Sequence, residues 1–429
     1  MSSRPSDDPV ARTLALLLRP FADVKPFEVA AVLLMAATGF VLMTAYYFLK
    51  VTREPLILLS GGAELKSYAA AGQALLLLLL TRSYRALAAR LDRRALTLAV
   101  FGFFAALVLL FALAAKLALP IGVPFYLFVG IFNLTVLSQF WSVAADFYSE
   151  EQGQRLFAVL GIGTSLGAIA GGYLGGILFR LWSVQGPLSS ALLLLLLALG
   201  GLLLADRTIR ARGERREQPQ VSETPREGSL FADRYLLLLA GLILLLNASN
   251  ALGEYVLDRV LLQAVSSEAD IASFKSTYFT AFNVATLVLQ SFLTSRVIRW
   301  FGGRGALFIL PIVSMLGWGT TAIAPVLTVI LIAKVAENAI DYSIQITSWQ
   351  SMFLVLTRYE KYVAKNTIDT VFVRFGDVTA AVLVLIFARW LALSTVSFIV
   401  LNLVLILLWL LITFLLYREH PRKAARTAA

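Results

Sequence analysis

The residues with chemistry to offer are few, and they sit where charge is expensive. In RYEKYVAKNTIDTVFVRFGD, residues 358–377, Arg358, Glu360 and Lys361 read as a polar loop, whereas Asp369, Arg374 and Asp377 enter a run that continues through apolar VTAAVLVLIFA. An ionisable group at membrane depth is costly unless paired or wetted, so by default it marks a transport pathway. Spacings of five and three put these three residues near one helical face. A carboxylate there can neutralise Arg374 when no ligand is bound; an ion pair that merely rigidifies a bundle is the competing reading.

Four further constellations carry charge. Lys50, Arg53 and Glu54 in YYFLKVTREPLILL lie on one helical face, and two cations beside one carboxylate make a net-positive pocket for an anion. Pro55 is expected to kink or end the helix there, which leaves an exposed outer loop as the alternative. Glu254 lies three-quarters along a helix in NASNALGEYVLDRV, and Lys334, Glu337 and Asp341 recur at spacings of three and four in another; mutual neutralisation and ligand contact both stay open. Asp146 and Arg155 flank a short turn as a candidate gate salt bridge, against a solvated pair worth under about 1 kcal/mol. Tyr46, Tyr47, Trp141 and Trp349 could stack on a base, or belong to an interfacial aromatic belt.

The elements that position these residues must be membrane helices. Of 429 residues 59% are hydrophobic and 15% charged, with a mean hydropathy of +0.81, a composition no ordinary soluble domain shows. There is no cysteine, and the single histidine, His420, lies in what reads as a solvated polar tail. Thiol chemistry, Ser/His/Asp catalysis and a His-rich metal site therefore have no raw material in the membrane; an enzyme, a metal or a cofactor is not expected. The glycine-rich GIGTSLGAIAGGYLGG, residues 161–176, is no phosphate loop, because no strand precedes it and no GK[ST] occurs. Its small residues instead let helices approach closely. The net charge of +11 belongs mostly to loops, which argues against nucleic acid as a partner.

Apolar runs predict helices near 28–50, 67–87, 95–117, 121–146, 155–180 and 188–205, then near 234–257, 273–296, 305–323, 325–350, 365–391 and 394–417. The fold class expected is an all-α polytopic membrane protein with 12 transmembrane helices in a 6+6 arrangement: residues 1–205, a charged linker at 206–233, and residues 234–429 with a basic tail. The linker, rich in charge, Pro and Gly, cannot form a core. No removable signal peptide is read before the first run, which serves as its own signal.

Lysines and arginines gather at the termini, in the linker and in alternate turns, while the opposite side holds Lys50, Arg53, Lys66, Lys116, Arg180, Arg259, Lys275 and Arg389. The positive-inside rule then places both termini in the cytoplasm and the chain in the inner membrane. One offset superposes Arg94 of RALAARLDRRAL on Arg304 of VIRWFGGRGAL, and Arg155 on Lys365. Paired six-helix repeats with basic 2–3 and 8–9 turns are the layout of the major facilitator superfamily, where one site sits near midplane between the repeats.

LKVTREPLIL, QFWSVAADFYSEEQGQRLFAVLGIGTSLGAI and KYVAKNTIDTVFVRFGD together resemble the nucleotide transporter family that includes the ATP/ADP translocases of plastids and intracellular bacteria. The resemblance implies nucleotide exchange by alternating access. It places a basic residue of helix 1, a glutamate of helix 7 and a lysine of the 10–11 region, all associated with transport, on Arg53, Glu254 and Lys365. Two positions depart: Gly130 falls where the family has an acidic residue, and Asp341 where a lysine is common. The expected substrate contacts are Lys50, Arg53, Glu254, Lys365 and Arg374, with Glu54, Lys334, Glu337, Asp369 and Asp377 balancing charge, and Asp146 with Arg155 as gate. The partners are an anionic small molecule, by resemblance a nucleotide, and membrane lipid, around a monomer. The alternative is a proton-coupled transporter of another organic anion or small metabolite, titrating through Glu254 or Asp377.

The orientation is directly testable because the chain is naturally cysteine-free. Ser222→Cys, in the linker, should resist an impermeant thiol reagent in intact cells and react once the membrane is permeabilised. Rapid labelling of intact cells reverses the topology.

Overall fold

The computed structural model describes residues 9–19, 22–88, 90–148, 150–211, 233–357, 360, 365 and 367–428. Arg358, Lys361 and residues 212–232 of the expected linker lie outside them. Every described apolar run is helical. The order is α1 (Pro9–Leu18), α2 (Val29–Ala88), α3 (Arg93–Lys116), α4 (Gly122–Phe147), α5 (Glu150–Trp182), α6 (Gln185–Ala211), α7 (Arg234–Ala264), α8 (Glu268–Phe292), α9 (Thr294–Ala306), α10 (Ile309–Ile323) and α11 (Leu327–Ile340). A π-helical turn at Asp341–Gln345 leads into α12 (Ile346–Met352); a second at Ile368–Phe372 opens α13 (Val373–Val384); a third, Leu385–Trp390, precedes α14 (Thr395–Ala428).

By length and composition, eight of the described helices are apolar enough to cross a membrane, or nine if α8 and α9, bent by 78°, form one span. The difference from twelve has physical causes. Val29–Leu80 passes as one candidate of 52 residues, about 78 Å at 1.5 Å per residue and so more than twice a hydrocarbon core. α10 is short, and α11 and α12 are divided by a π turn.

The break in α2 is not where Pro55 predicts it. The helix runs straight past Pro55 and turns at Gly61–Gly62, where Gly62 takes φ 76°, a left-handed conformation that glycine adopts without strain. Proline removes a single backbone donor, and packed neighbours can hold the helix around that loss. The first helix is therefore longer than expected, and Lys50, Arg53 and Glu54 lie inside it rather than in an outer loop.

Two compact units emerge. One holds the described residues of Met1–Pro55, Arg82–Gln220 and Ala272–Thr280; the other those of Leu56–Thr81, Val221–Ile271 and Ala281–Ala429. In the first, phenylalanines form the core: Phe104 of α3 meets Phe132 of α4 edge-on with centroids 5.4 Å apart, and Phe111 lies 5.0 Å from Phe128. The glycines of α5 set its closest approach. A Cβ on Gly163, Gly167 or Gly171 would press into the backbone carbonyls of Ala36, Phe40 and Thr44 of α2, inside van der Waals contact. Gly172 and Gly176 meet Thr280 and Ser276 of α8 instead, and the Ser276 hydroxyl donates to the Gly172 carbonyl at 2.7 Å. Spacing by four thus turns one helix into a flat face for two others.

In the second unit α7 lies centrally, packed on α11, α13 and α14. The basic tail does not leave the fold. α14 continues to Ala428, His420 stacks edge-on against Tyr235 at 5.9 Å, and Lys423 Nζ donates to Asp233 and Glu360, each at 2.6 Å. Burial opposes the charge on both acids, but the Lys423 ammonium and backbone N–H donors more than offset it, holding both carboxyls below their ordinary range.

Depressed carboxyl pKa values set the sign of the pH dependence. They contribute stability that is fully present above the unfolded-state value near 4 and is lost as pH falls through the folded-state values. Lys423→Ala should cost about 1.5 kcal/mol, the low end for charge-assisted hydrogen bonds because both acids are partly exposed. Melting curves of purified wild type and variant should differ at pH 7 and converge as the medium is acidified below pH 4.

Candidate functional site

In the first unit, α2 aims three charges toward α4 and α8. Arg53 Nε donates to Glu54 Oε1 at 3.1 Å, and its guanidinium lies 4.5 Å over the Tyr126 ring of α4. Glu54 is 1% exposed, and its second oxygen stands 3.6 Å from Nζ of Lys275, which α8 buries completely. Lys50 Nζ lies 4.4 Å over the ring of Phe279, 5.0 Å over Tyr47 and 5.9 Å over Tyr46. Two cations thus meet at one carboxylate, and a third, Lys50, is held over aromatic faces. The arrangement offers an anion both charge and a planar stacking surface.

Sequence reasoning misses Lys275. The apolar run starts near 273 and puts this lysine at its very edge, among the outer-side charges, whereas α8 begins at Glu268, with Ser267 accepting from the Asp270 N–H. That Ser–x–x–Asp cap is visible in the sequence and moves Lys275 inside. Lys66 is misplaced in the same way. Its Nζ bonds Asp258 of α7 at 2.6 Å, with the carboxylate 1% exposed. One helical turn away, Tyr255 donates to Glu64 at 2.9 Å and accepts from Arg259 at 3.1 Å.

The second unit carries its own cluster. Lys334 of α11, wholly buried, donates to Glu337 at 3.1 Å and to the Asn250 side chain and its carbonyl, with Glu254 of α7 at 3.9 Å. Trp318 of α10 donates to Glu337 at 3.4 Å. Mutual neutralisation is therefore realised for Lys334 with Glu337 and is extended to Glu254. Asp341 opens the π turn one step further on, so regular α-helical spacing ends there.

Asp369, Arg374 and Asp377 do not gather into one group. Arg374 and Asp377 pair at 3.5 Å, both about a quarter exposed, whereas Asp369 accepts from the Trp349 indole at 2.9 Å. The π turn at Ile368–Phe372 contains Asp369 and ends before Arg374, which changes the phase between them. Lys365 bonds the Gln350 side chain, with its ammonium 5.6 Å over Phe353. At the expected gate, Arg155 finds Glu28 at 3.1 Å and the Asp23 carbonyl, while Asp146 lies 3.9 Å from Arg93, which also bonds Asp206. Burial opposes the charge on Glu28, but the Lys25 N–H and Arg155 outweigh it and keep its carboxyl low. Asp206 belongs to a helix rather than to the expected linker, since α6 extends through it to Ala211.

No family model matches the chain, and no curated protein matches it. Solved structures do. The chain is similar to the POT family transporter PepTSo (TM-score 0.66, 11% identity, covering 92% of this chain and 98% of that one). It is similar to the nucleoside transporter NupG (0.61, 12%, 90% and 98%) and to a bacterial homolog of the human lysosomal transporter Spinster, inward-facing and unoccupied (0.60, 14%, 93% and 99%). At such identities the likeness shows the fold, which is major facilitator-like.

The buried Lys66–Asp258 pair gives a clean check on how these charges are held. Lys66→Met and Asp258→Asn should each destabilise the protein by about 3–5 kcal/mol, because each strands a buried charge. Lys66→Met with Asp258→Asn should cost less in thermal unfolding than the two single changes summed. Simple additivity would show that the two do not neutralise one another.

Proposed function

We propose that this protein is a secondary transporter, not an enzyme, that exchanges a nucleotide or related phosphorylated anion across the inner membrane by alternating access. The observation that carries the reading is the meeting of Arg53 and Lys275 at the Glu54 carboxylate, with Lys50 of the same helix held among Tyr46, Tyr47 and Phe279 and with Tyr126 under the Arg53 guanidinium. Guanidinium forks match phosphate oxygens, ammonium groups add point charge, and ring faces suit a planar base. The transporter fold and the sequence resemblance to nucleotide translocases support it.

In this reading Arg53 and Lys50 hold phosphate in the first unit, and Lys365 and Arg374 are the cations that the second unit offers. Glu54 and Asp377 keep arginine charge neutral when no ligand is bound, as the Arg53–Glu54 and Arg374–Asp377 pairs illustrate. Arg155 acts at a cytoplasmic gate through Glu28 rather than Asp146. Both termini face the cytoplasm, and the working unit is a monomer.

A second reading has an observation of its own. Lys334 lies between Glu337 and Glu254, an arrangement that a proton could enter, and proton-coupled transport of another organic anion would use it. Counter-substrate dependence distinguishes exchange from coupling, which instead tracks the proton gradient.

The experiment is counterflow of labelled nucleotide into proteoliposomes preloaded with ADP, with a melting curve for each variant. Arg53→Gln and Arg374→Gln should each weaken binding by roughly 1.5–3 kcal/mol, the range for a hydrogen bond to a charged group. Lysine at either position should be milder, since it keeps charge and loses the fork. A wild type that exchanges no nucleotide sinks the substrate; variants that exchange normally sink the residues.

A further inference from the structure

The basic segment between α8 and α10 answers to none of these roles. α9, TSRVIRWFGGRGA, leaves α8 at a bend of 78°. If α8 crosses the membrane, α9 therefore runs close to the plane in which that crossing ends. Its inner side is apolar: Val297 packs with Ala306 and with Ile344 of the first π turn, alongside Leu293, Ile298, Ile309 and Ile340. Its outer side carries Arg296, Arg299 and Trp300 at spacings of three and four, all exposed, with Phe301 and Phe292 exposed beside them.

Among the described residues no carboxylate neutralises the charge on that outer side. The sequence holds no aspartate or glutamate from Ile271 to Ala336. Among the described residues Arg296 donates to the Phe292 carbonyl and Arg304 lies 4.7 Å over the Tyr417 ring, and no ion pair involves Arg296, Arg299 or Arg304. Two like charges one turn apart repel by a few tenths of a kcal/mol in a helix. An external anion removes that cost. Trp300, Phe301 and Phe292 specify what kind, because exposed aromatics beside arginine are the composition of a helix seated at the boundary between headgroups and acyl chains.

We infer that α9 is a docking face for anionic phospholipid, with Arg296 and Arg299 gripping headgroup phosphates and Trp300, Phe301 and Phe292 seated among the upper acyl carbons. The face has a route into the rest of its unit. Val297 touches Ile344, inside the turn that Asp341 opens next to Glu337 and Lys334. Lipid held on the outer side of α9 therefore steadies the support of that turn. This proposal does not depend on what is transported.

The test uses the full-length protein in nanodiscs of phosphatidylcholine, with and without phosphatidylglycerol. Retained lipid is counted by native mass spectrometry, and a melting curve is taken in each membrane. Wild type should retain phosphatidylglycerol selectively and melt higher in its presence, with both effects shrinking as salt is raised. Arg296→Gln with Arg299→Gln should lose about fivefold in selectivity for each arginine removed. Arg296→Lys with Arg299→Lys should keep most of it, and Lys116→Gln, an exposed cation on α3, should keep all of it. A wild type that retains the two lipids equally overturns the proposal, as does a double glutamine variant that keeps full selectivity or a Lys116→Gln variant that loses as much.

Discussion

An ionised side chain enclosed by apolar helices costs several kcal/mol unless an opposite charge and hydrogen bonds come with it. Much of this protein's arrangement can be read as the consequence of that single requirement. Glu54 is enclosed, and Arg53 and Lys275 are brought to it; Asp258 is enclosed, and Lys66 is brought to it; Lys334 is enclosed, and Glu337, Asn250 and Glu254 surround it. Partners come from far along the chain. Residue 54 needs residue 275, and residue 258 needs residue 66, so the neutralisation of charge also fixes which helices are neighbours. Residues 56–81 and 272–280 accordingly lie in the unit otherwise built from the other half of the sequence.

Meeting the requirement demands local departures from regular helix. α2 must turn between the segment that carries Glu54 and the segment that carries Lys66, and Gly62 provides the conformation. α5 must let α2 and α8 approach to backbone contact, and its glycines remove the side chains that would prevent it. Two π turns each begin at or beside an acid: Asp341 opens the first, and Asp369 stands second in the next. A π turn rotates the downstream residues relative to a regular α-helix and leaves a backbone group to satisfy, so it recurs where a side chain must be re-aimed. Here it directs Asp369 to Trp349 and away from Arg374.

Legibility in the sequence obeys the same physics. Long apolar runs announce membrane helices whatever the rest of the chain does, so the helical class and the placement of α3 to α7 are readable. Charges within those runs are readable as well, and Lys334 with Glu337 and Arg374 with Asp377 pair as their local spacing implies. Pairs distant in the chain are not readable, because nothing in LKSYAAAG points to VLDRV. Pro55 misleads for a different reason: a breaking tendency of one residue yields when packed neighbours hold the helix, and the turn falls instead at a glycine pair with a real conformational need. Lys66 and Lys275 look like charges at helix ends only because apolar runs understate the length of their helices.

The two units differ in the sign of what they gather. At Glu54 two cations meet one carboxylate, with Lys50 held over Phe279, whereas Lys334 meets Glu337 and Glu254, with Asp341 a turn beyond. An excess of cations held among aromatic rings is poised to accept an anion, since the ligand supplies the charge that the protein withholds. An excess of carboxylates around one buried lysine is poised to accept a cation, and in a helix bundle the cheapest cation to admit is a proton. Anion binding and cation admission make opposite demands on local charge, so exchange would draw on the first cluster where proton coupling would draw on the second.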